Sequence, residues 1–544
     1  MQAIFYGHID LKAPWNFSSL NSSTSDNSFK SYIVDNQYFA IRLQGCIYNL
    51  NDLYKEYDVE TFEKALGLIC TTDIKTAINK LNGEFRGVYY NKQSRELSVF
   101  TDHCSLLPIF WTKRNSKLYV GHSTPKISEQ LIKENEKIEL SELGAHMLLA
   151  YDYQIGNSTL INGCNKVGGG TSIHFNGEIE SQSTYSDFNE IPQNRNYSLN
   201  SLIEEFNNKF EQAVFKRVEF ASNREIQSTL SGGLDSRVVT FVAKNFTNKI
   251  VAICCSQSDY LDHQISKEIA TDLGIDYFFE PLDRANHLFQ PEKIAELNGG
   301  LTNYSAAAHF YELFASIGKN NADSTLTGIF GDGLLGSGLQ NLDVKANAKA
   351  QVSFLPSAIA IENEVDKISS NYKSQNAFLL HSRRFNFTTN GHYLAQDLIH
   401  PTSPFCDPEL IRFTLSIPEK ELINNKFYLK WLNTYQKETT NYLWEKYNAK
   451  PKSEFNLLVG RAKRKLLKIA KGKDSFSMCP EEYWFSTNEN LQQTLINYCN
   501  NEMHRLEPYL ELKTNCMELI KRNNFESISK VVTLLSAMKV QHIN

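Results

Sequence analysis

The sequence has no unbroken apolar run of the roughly eighteen residues that a membrane-spanning helix needs, so no helix is expected to cross a bilayer. It also has no Cys-x-x-Cys pair. Its ten cysteines (Cys46, Cys70, Cys104, Cys164, Cys254, Cys255, Cys406, Cys479, Cys499 and Cys516) are scattered along the chain. A zinc site needs clustered ligands and a disulfide scaffold needs a short, cysteine-dense chain, so these thiols are expected to be reduced and packed as small apolar groups. A basic excess is missing as well. Fifty-six Lys+Arg against 61 Asp+Glu give a net charge of −5, which argues against a protein that coats nucleic acid. The stretch Met1–Trp15 has no basic segment leading into an apolar one, so no secretory signal is expected and a cytoplasmic location is. Internal repeats and long low-complexity tracts are absent.

What is there suffices for real cores. The chain has 544 residues, 41% apolar and 12% aromatic, which at roughly 150 residues per domain suggests two to four domains. Residues 1–185 read as β-rich, with short apolar or alternating runs at Gln37–Leu43, Gly87–Tyr90, Glu96–Thr101, Leu106–Trp111, Lys117–Gly121 and Thr171–Phe175. Helical patterns interrupt them at Val59–Leu68 and Asp73–Leu81. A Ser/Asn/Gln-rich stretch containing Pro192 marks a linker over 186–200. The period then changes. A helix over Ser201–Phe220 leads into strand Glu225–Leu230, helix Ser236–Asn245, strand Lys249–Cys255, helix Asp262–Leu273 and strand Tyr277–Pro281. Such alternation implies right-handed crossovers and a parallel sheet within 201–544, mostly helical beyond about residue 355.

The strongest chemical signal is Ser228-Thr229-Leu230-Ser231-Gly232-Gly233-Leu234-Asp235-Ser236-Arg237, placed where a strand ends and a helix begins. Two glycines let backbone N–H groups approach an anion, Ser231 and Ser236 add hydroxyl donors, and the following helix N-terminus favours negative charge. Asp235 is a poor neighbour for phosphate unless a divalent cation lies between them, so the loop implies Mg²⁺.

This segment resembles the PP-loop of ATP pyrophosphatases, and its surroundings resemble asparagine synthetases. Ser258–Ala270 followed by Leu273-Gly274-Ile275, then Thr327-Gly328-Ile329-Phe330-Gly331-Asp332-Gly333, then Ser403–Leu410 ending at Ser416-Ile417-Pro418, follow that family's order. Upstream, Leu43–Asn49, Leu81–Gly87 and Thr101-Asp102 resemble its class II glutamine amidotransferase domain. The resemblance implies an N-terminal α+β domain of helix–sheet–sheet–helix layers and a C-terminal PP-loop α/β domain of the adenine nucleotide α hydrolase type with a helical extension. It further implies ATP and pyrophosphate contacts from Leu230, Ser231, Gly232, Gly233, Asp235, Ser236 and Gly328, Mg²⁺ ligation by Asp235 and Asp332, and a charge-stabilising lysine, with Lys446 first and Lys450 second.

The sequence departs from the family at decisive places. The N-terminal nucleophilic cysteine is replaced by Gln2, and Asn-Gly-Glu of the glutamine pocket reads Gln44-Gly45-Cys46, so glutamine hydrolysis is expected to be lost. Cys46 is expected to be a packed thiol rather than a substitute nucleophile. Ile329 stands where the family has glutamate, and His400 and Thr402 where it has Glu and Arg, near the expected acceptor pocket. The reading is an amide-forming, AMP-releasing ligase that takes nitrogen from an amine or ammonia, like β-lactam synthetases and lasso-peptide cyclases. An ammonia-using asparagine synthetase and a non-catalytic nucleotide-binding homologue stay open. Expected partners are small-molecule or peptide carboxylates and amines. A precursor peptide and a second copy of the chain are further partners compatible with the resemblance, and nucleic acid is not expected. The basic stretch Arg461–Lys473 reads as a solvated helix face, with an acidic peptide or a membrane surface as alternatives.

Overall fold

The computed structural model describes residues 4–12, 20–23, 29–71, 73–177, 179–221, 224–317, 324–337, 339, 345–393, 396, 398–471 and 477–543. The first lobe carries β1 (Ile4–Asp10), β2 (Leu20–Ser23), β3 (Lys30–Asp35), β4 (Phe39–Ile47), β5 (Gly83–Asn91) and β6 (Glu96–Thr101). It continues with β7 (Phe110–Arg114), β8 (Lys117–Gly121), β9 (Cys164–Lys166), β10 (Thr171–Asn176) and β11 (Ile179–Thr184). These form two antiparallel sheets, ordered β2-β1-β8-β7-β9 and β11-β10-β6-β5-β4-β3. Their facing sides share one apolar layer that includes Phe5, Val88, Val99, Trp111, Val120 and Ile173. Central β5 is buried on both faces over Gly83–Tyr89, whereas the polar edge strand β11 is exposed along nearly all its length.

Helices cover both outer faces, as expected from the resemblance. α1 (Leu50–Tyr57), α2 (Phe62–Ile69) and α3 (Ile74–Asn79) bury Leu53, Phe62, Leu66 and Ile78 against the six-stranded sheet. α4 (Thr124–Lys133) and α5 (Glu142–Tyr151) cover the other sheet through Ile127, Leu131 and Leu148. Two boundaries differ from the sequence reading for a local reason. Thr61 and Asp73 accept N–H bonds from Lys64 and Thr76, so they cap α2 and α3 from outside. The strand expected at Leu106–Trp111 starts only at Phe110, because the Asp102 carboxylate accepts the N–H groups of Cys104, Leu106 and Leu107 and folds them into a turn.

In the second lobe β12 (Ile226–Thr229), β13 (Ile250–Ser256), β14 (Asp276–Pro281), β15 (Ser324–Leu326) and β16 (Pro401–Thr402) are all parallel, in the order β14-β13-β12-β15-β16. α6 (Leu199–Phe220), α7 (Asp235–Lys244) and α8 (Leu261–Leu273) follow the expected alternation. From β12 the chain builds outward on one side to β14, then returns to the other side at β15. The crevice at the carboxyl ends of β12 and β15 is therefore the topological switch point, where open parallel sheets bind ligands.

The lobes are not loosely tethered. In the expected linker Phe188 is buried in the second lobe's core, and Asn194 N–H donates to Ser416 O at 2.8 Å. α9 (Pro291–Asn298), α10 (Ser305–Ile317) and the C-terminal helix Phe525–Val540 join the first lobe's α4 and α5 in a single apolar core. No helix among the described residues is long and apolar enough to cross a membrane.

Candidate active site

β12 ends at Thr229, and Leu230–Leu234 turn the chain into α7. Leu234 stands at the helix N-cap without a side-chain acceptor, so the first-turn N–H groups have no cap. The loop's hydroxyls are fixed instead by the loop itself. Ser231 N–H donates to Ser236 Oγ at 3.1 Å, the two Oγ atoms lie 3.0 Å apart, and Gly233 N–H donates to Ser231 Oγ at 3.2 Å. Ser231, Gly233, Asp235 and Ser236 line a cavity of about 370 Å³ together with Leu230, Gly328 and Asp332. Its opposite wall is apolar, built from Ile253, Phe310, Leu313 and Met478, and Lys446 lines it too.

The loop after β15 reaches α7 because two residues lack side chains. A Cβ on Gly328 would lie 2.3 Å from Ser236 N, and one on Gly331 would lie 2.5 Å from Asp235 Cγ. The approach lets Asp332 N–H donate to Asp235 Oδ2 at 2.7 Å, while Tyr428 O–H donates to Oδ1 at 2.5 Å. Burial and the neighbouring Asp332 carboxylate push the Asp235 carboxyl up to about 7, against the pull of the Tyr428 bond. Asp332 is exposed. Asp235 and Asp332, brought together at the ends of neighbouring parallel strands, suit a divalent cation. Among the described residues no group of three or more His, Cys, Asp or Glu could hold a metal alone. That donor set fits Mg²⁺ shared with phosphate oxygens and does not fit an all-protein cage.

Other expected residues are placed differently. Gly232 is absent from the cavity wall. Its N–H donates to Asp262 Oδ1 at 2.9 Å, its carbonyl accepts from Arg237 and Glu445, and a Cβ there would lie 2.7 Å from Glu445 Cβ. Close packing, not anion contact, demands this glycine. Lys450 is exposed and lies outside the lining, whereas Lys446 sits 5.8 Å from the Trp444 ring and 5.9 Å from the Tyr447 ring at the cavity mouth. Gln2 lies outside the described residues.

His400 and Thr402 do not face the cavity. They turn toward the first lobe, where His400 Nε2 lies 2.9 Å from Glu84 Oε2 and Thr402 donates to Glu84 Oε1 at 2.5 Å. Tyr48 O–H also donates to Glu84 at 3.0 Å, and Arg217 donates to Thr402 at 2.9 Å and stacks on Tyr48. Burial alone would push the Glu84 carboxyl up, but His400, Arg217 and the Thr402 bond outweigh it and hold the carboxyl below its usual range. The Cys46 thiol is fully buried, 3.7 Å from His400 Nδ1.

Several structural supports escaped the sequence reading. Arg237, fully buried, bonds the carbonyls of Gly232, Thr439 and Leu443 and so ties the loop after β12 to the segment preceding Lys446. Arg464 holds Glu445 at 2.8 Å. Arg384 packs on Gly333 beside Asp332, and burial pushes its guanidinium down to about 10. An arginine inside the apolar run Val238–Ala243's own helix is the one signal that could have flagged Arg237.

A glutamine amidotransferase domain model matches residues 19–129 and an asparagine synthase model matches residues 205–389. Asparagine synthetase [glutamine-hydrolyzing] 1 of Bacillus subtilis (strain 168) is 24% identical over 295 residues, 51% of this chain and 44% of that protein. The microcin J25-processing protein McjC of Escherichia coli is 25% identical over 207 residues, 38% of this chain and 37% of that protein. The chain thus spans less than half the length of these curated relatives. A solved NH3-dependent NAD synthetase of Campylobacter jejuni overlaps 36% of this chain and 97% of its own at 14% identity with a TM-score of 0.21, too slight an overlap to build on. With both domain models matched in order and an asparagine synthetase among its relatives, the chain is similar to the asparagine synthetase family over these residues.

Proposed function

We propose that this protein is an ATP-dependent amide-forming ligase. A substrate carboxylate attacks the α-phosphorus, pyrophosphate leaves, and an amine or ammonia then displaces AMP from the acyl-adenylate and loses a proton. The observation that carries the reading is the convergence of Ser231, Asp235, Ser236 and Asp332 at the switch point, over a cavity with an apolar wall suited to a purine. Mg²⁺, when bound, supplies neutralisation of phosphate charge, and Asp235 and Asp332 would hold it. Ser231, Gly233 and Ser236 orient the pyrophosphate through hydroxyl and N–H donors. Lys446 places a positive charge at the mouth, where negative charge moves onto the leaving group.

Nitrogen from glutamine is excluded in this proposal. Gln2 offers no nucleophile where the family uses cysteine, and Gln44 Oε1 is already bound by Arg86 at 2.9 and 2.7 Å. The likeness to a microcin J25-processing protein favours a peptide among the substrates.

Pyrophosphate release from ATP and Mg²⁺, measured with peptide carboxylates and free amines, is expected to fall at least about 100-fold in Asp235→Ala with an unchanged circular-dichroism spectrum. An unaltered rate would refute the metal assignment. Gln2→Ala should ligate like the parent, and added glutamine should not stimulate either protein. Apolar Ile329 at the cavity favours a second reading, a nucleotide binder without turnover. Calorimetric ATP binding with no pyrophosphate release under any amine or carboxylate would select it.

A further inference from the structure

Helix Glu454–Lys471 is an amphipathic helix mounted with its apolar side outward. Its inner face is set by Leu457, buried in the second lobe's core, by Gly460, whose Cβ would meet Tyr447 O at 2.5 Å, and by Arg464, which bonds Glu445. Spaced three and four residues apart, these lie on one side of the helix. Phe455, Leu458, Val459, Leu466 and Ile469 also recur at that spacing, but on the opposite side, and are between 54% and 73% exposed. At about 100° per residue this stripe points almost directly away from the protein. Exposed Lys463 falls on one flank of the stripe and exposed Lys465 on the other, while Arg461, beside Lys465, turns back to donate to the Tyr447 hydroxyl at 3.1 Å. A solvated helix face would be polar there. Five large apolar side chains in a row on the solvent side instead mark a docking surface.

We propose that this helix docks the protein on an anionic lipid surface, lying in the plane of the interface with the apolar stripe among the upper acyl chains. Three features choose this occupant. Among the described residues the stripe is a convex ridge on one helix with no second wall, so it offers a peptide no groove, whereas a bilayer needs only such a ridge. Basic residues on both flanks are placed to meet headgroup phosphates as the ridge enters. A second copy of the helix would bring like charges together on both sides of the contact. The same helix holds Glu445, next to Lys446, through Arg464, so docking presents the mouth of the catalytic cavity close to the membrane.

The test is flotation of the full-length protein with unilamellar vesicles of phosphatidylcholine alone or mixed equally with phosphatidylglycerol. The wild type is expected to float with the anionic vesicles, to stay behind with the neutral ones and to release as salt rises. Each basic residue near the surface contributes roughly a fivefold change in partitioning. Lys463→Glu/Lys465→Glu should therefore bind at least about tenfold more weakly, and Leu466→Asp/Ile469→Asp should lose binding while keeping the wild-type circular-dichroism spectrum and pyrophosphate release. Absence of wild-type flotation with anionic vesicles overturns the proposal, as does undiminished binding by both double variants. Wild-type protein that ignores vesicles yet binds a fluorescein-labelled acidic Glu/Leu amphipathic peptide would also overturn it, in favour of a protein ligand.

Discussion

Asp235, proposed above as a Mg²⁺ ligand, also sets an expected pH dependence. Its carboxyl is pushed up to about 7 by burial and by Asp332, and the bond from Tyr428 works in the other direction. Removing that bond raises the affinity for a proton further, so the proton competes better with a cation. Tyr428→Phe is therefore expected to raise the Mg²⁺ concentration for half-maximal pyrophosphate release roughly tenfold at pH 7, with the gap closing by pH 9. An equal gap at both pH values would remove Tyr428 from this role. Glu481, which does not line the cavity, offers a stability counterpart. Burial first, with help from Asp152, raises its carboxyl to about 8, against the bond from Ser305. A folded-state value above the unfolded one gives stability that is full below pH 4 and lost as pH rises toward 8. Glu481→Gln should cancel this slope and exceed the parent by roughly 1–3 kcal/mol at pH 9 in urea unfolding, the half-buried position moderating the gain.

At the scale of elements, legibility followed chain distance. The strand–turn–helix over Ser228–Arg237 could be read because strand, glycines, serines and helix start are contiguous there, so local geometry and motif coincide. The bonds that Tyr428 and Asp262 make to the loop were invisible, since they arrive from 193 and 30 residues away. β16 spans two residues and β9 three, too short for any periodicity to register. His400 and Thr402 were assigned to the acceptor side of the sheet but face the first lobe, because only strand pairing decides which lobe alternate residues face. The β15 loop adds a strained point that composition concealed. Phe330 holds φ at 74° while buried against Phe385. Its side chain stabilises what its backbone resists, so the two effects can be separated. Phe330→Ala should cost about 3–5 kcal/mol, and Phe330→Gly about 1 kcal/mol less despite removing one more carbon, because glycine accepts the left-handed conformation. Alanine proving the milder change in denaturant melts would show the strain to be absent.

For the whole molecule, the question is whether the first lobe persists as an independent domain or as part of one folding unit. Two separate seams favour the latter. The apolar core of α4 and α5 continues into α9 and the C-terminal helix without a break. Elsewhere the lobes share buried charge, as Glu84 of β5 meets His400, Thr402 and Arg217 of the second lobe. Cutting a buried network at one member leaves the others unpaired in a poorly solvated space, which typically costs about 3–5 kcal/mol, more than the network itself need contribute. Glu84→Ala should thus lower the stability of both lobes together, seen as one cooperative transition at lower urea by tryptophan fluorescence and circular dichroism alike. Because Glu84 is held below the usual carboxylate range, the stability it confers is present above its unfolded value and lost as pH falls through the folded one, so the difference between parent and variant should shrink in acid. Two separated transitions in the variant, with only the first lobe weakened, would mean that the seam of charge is an interface between independent domains, and that the first lobe does not support the fold of the second.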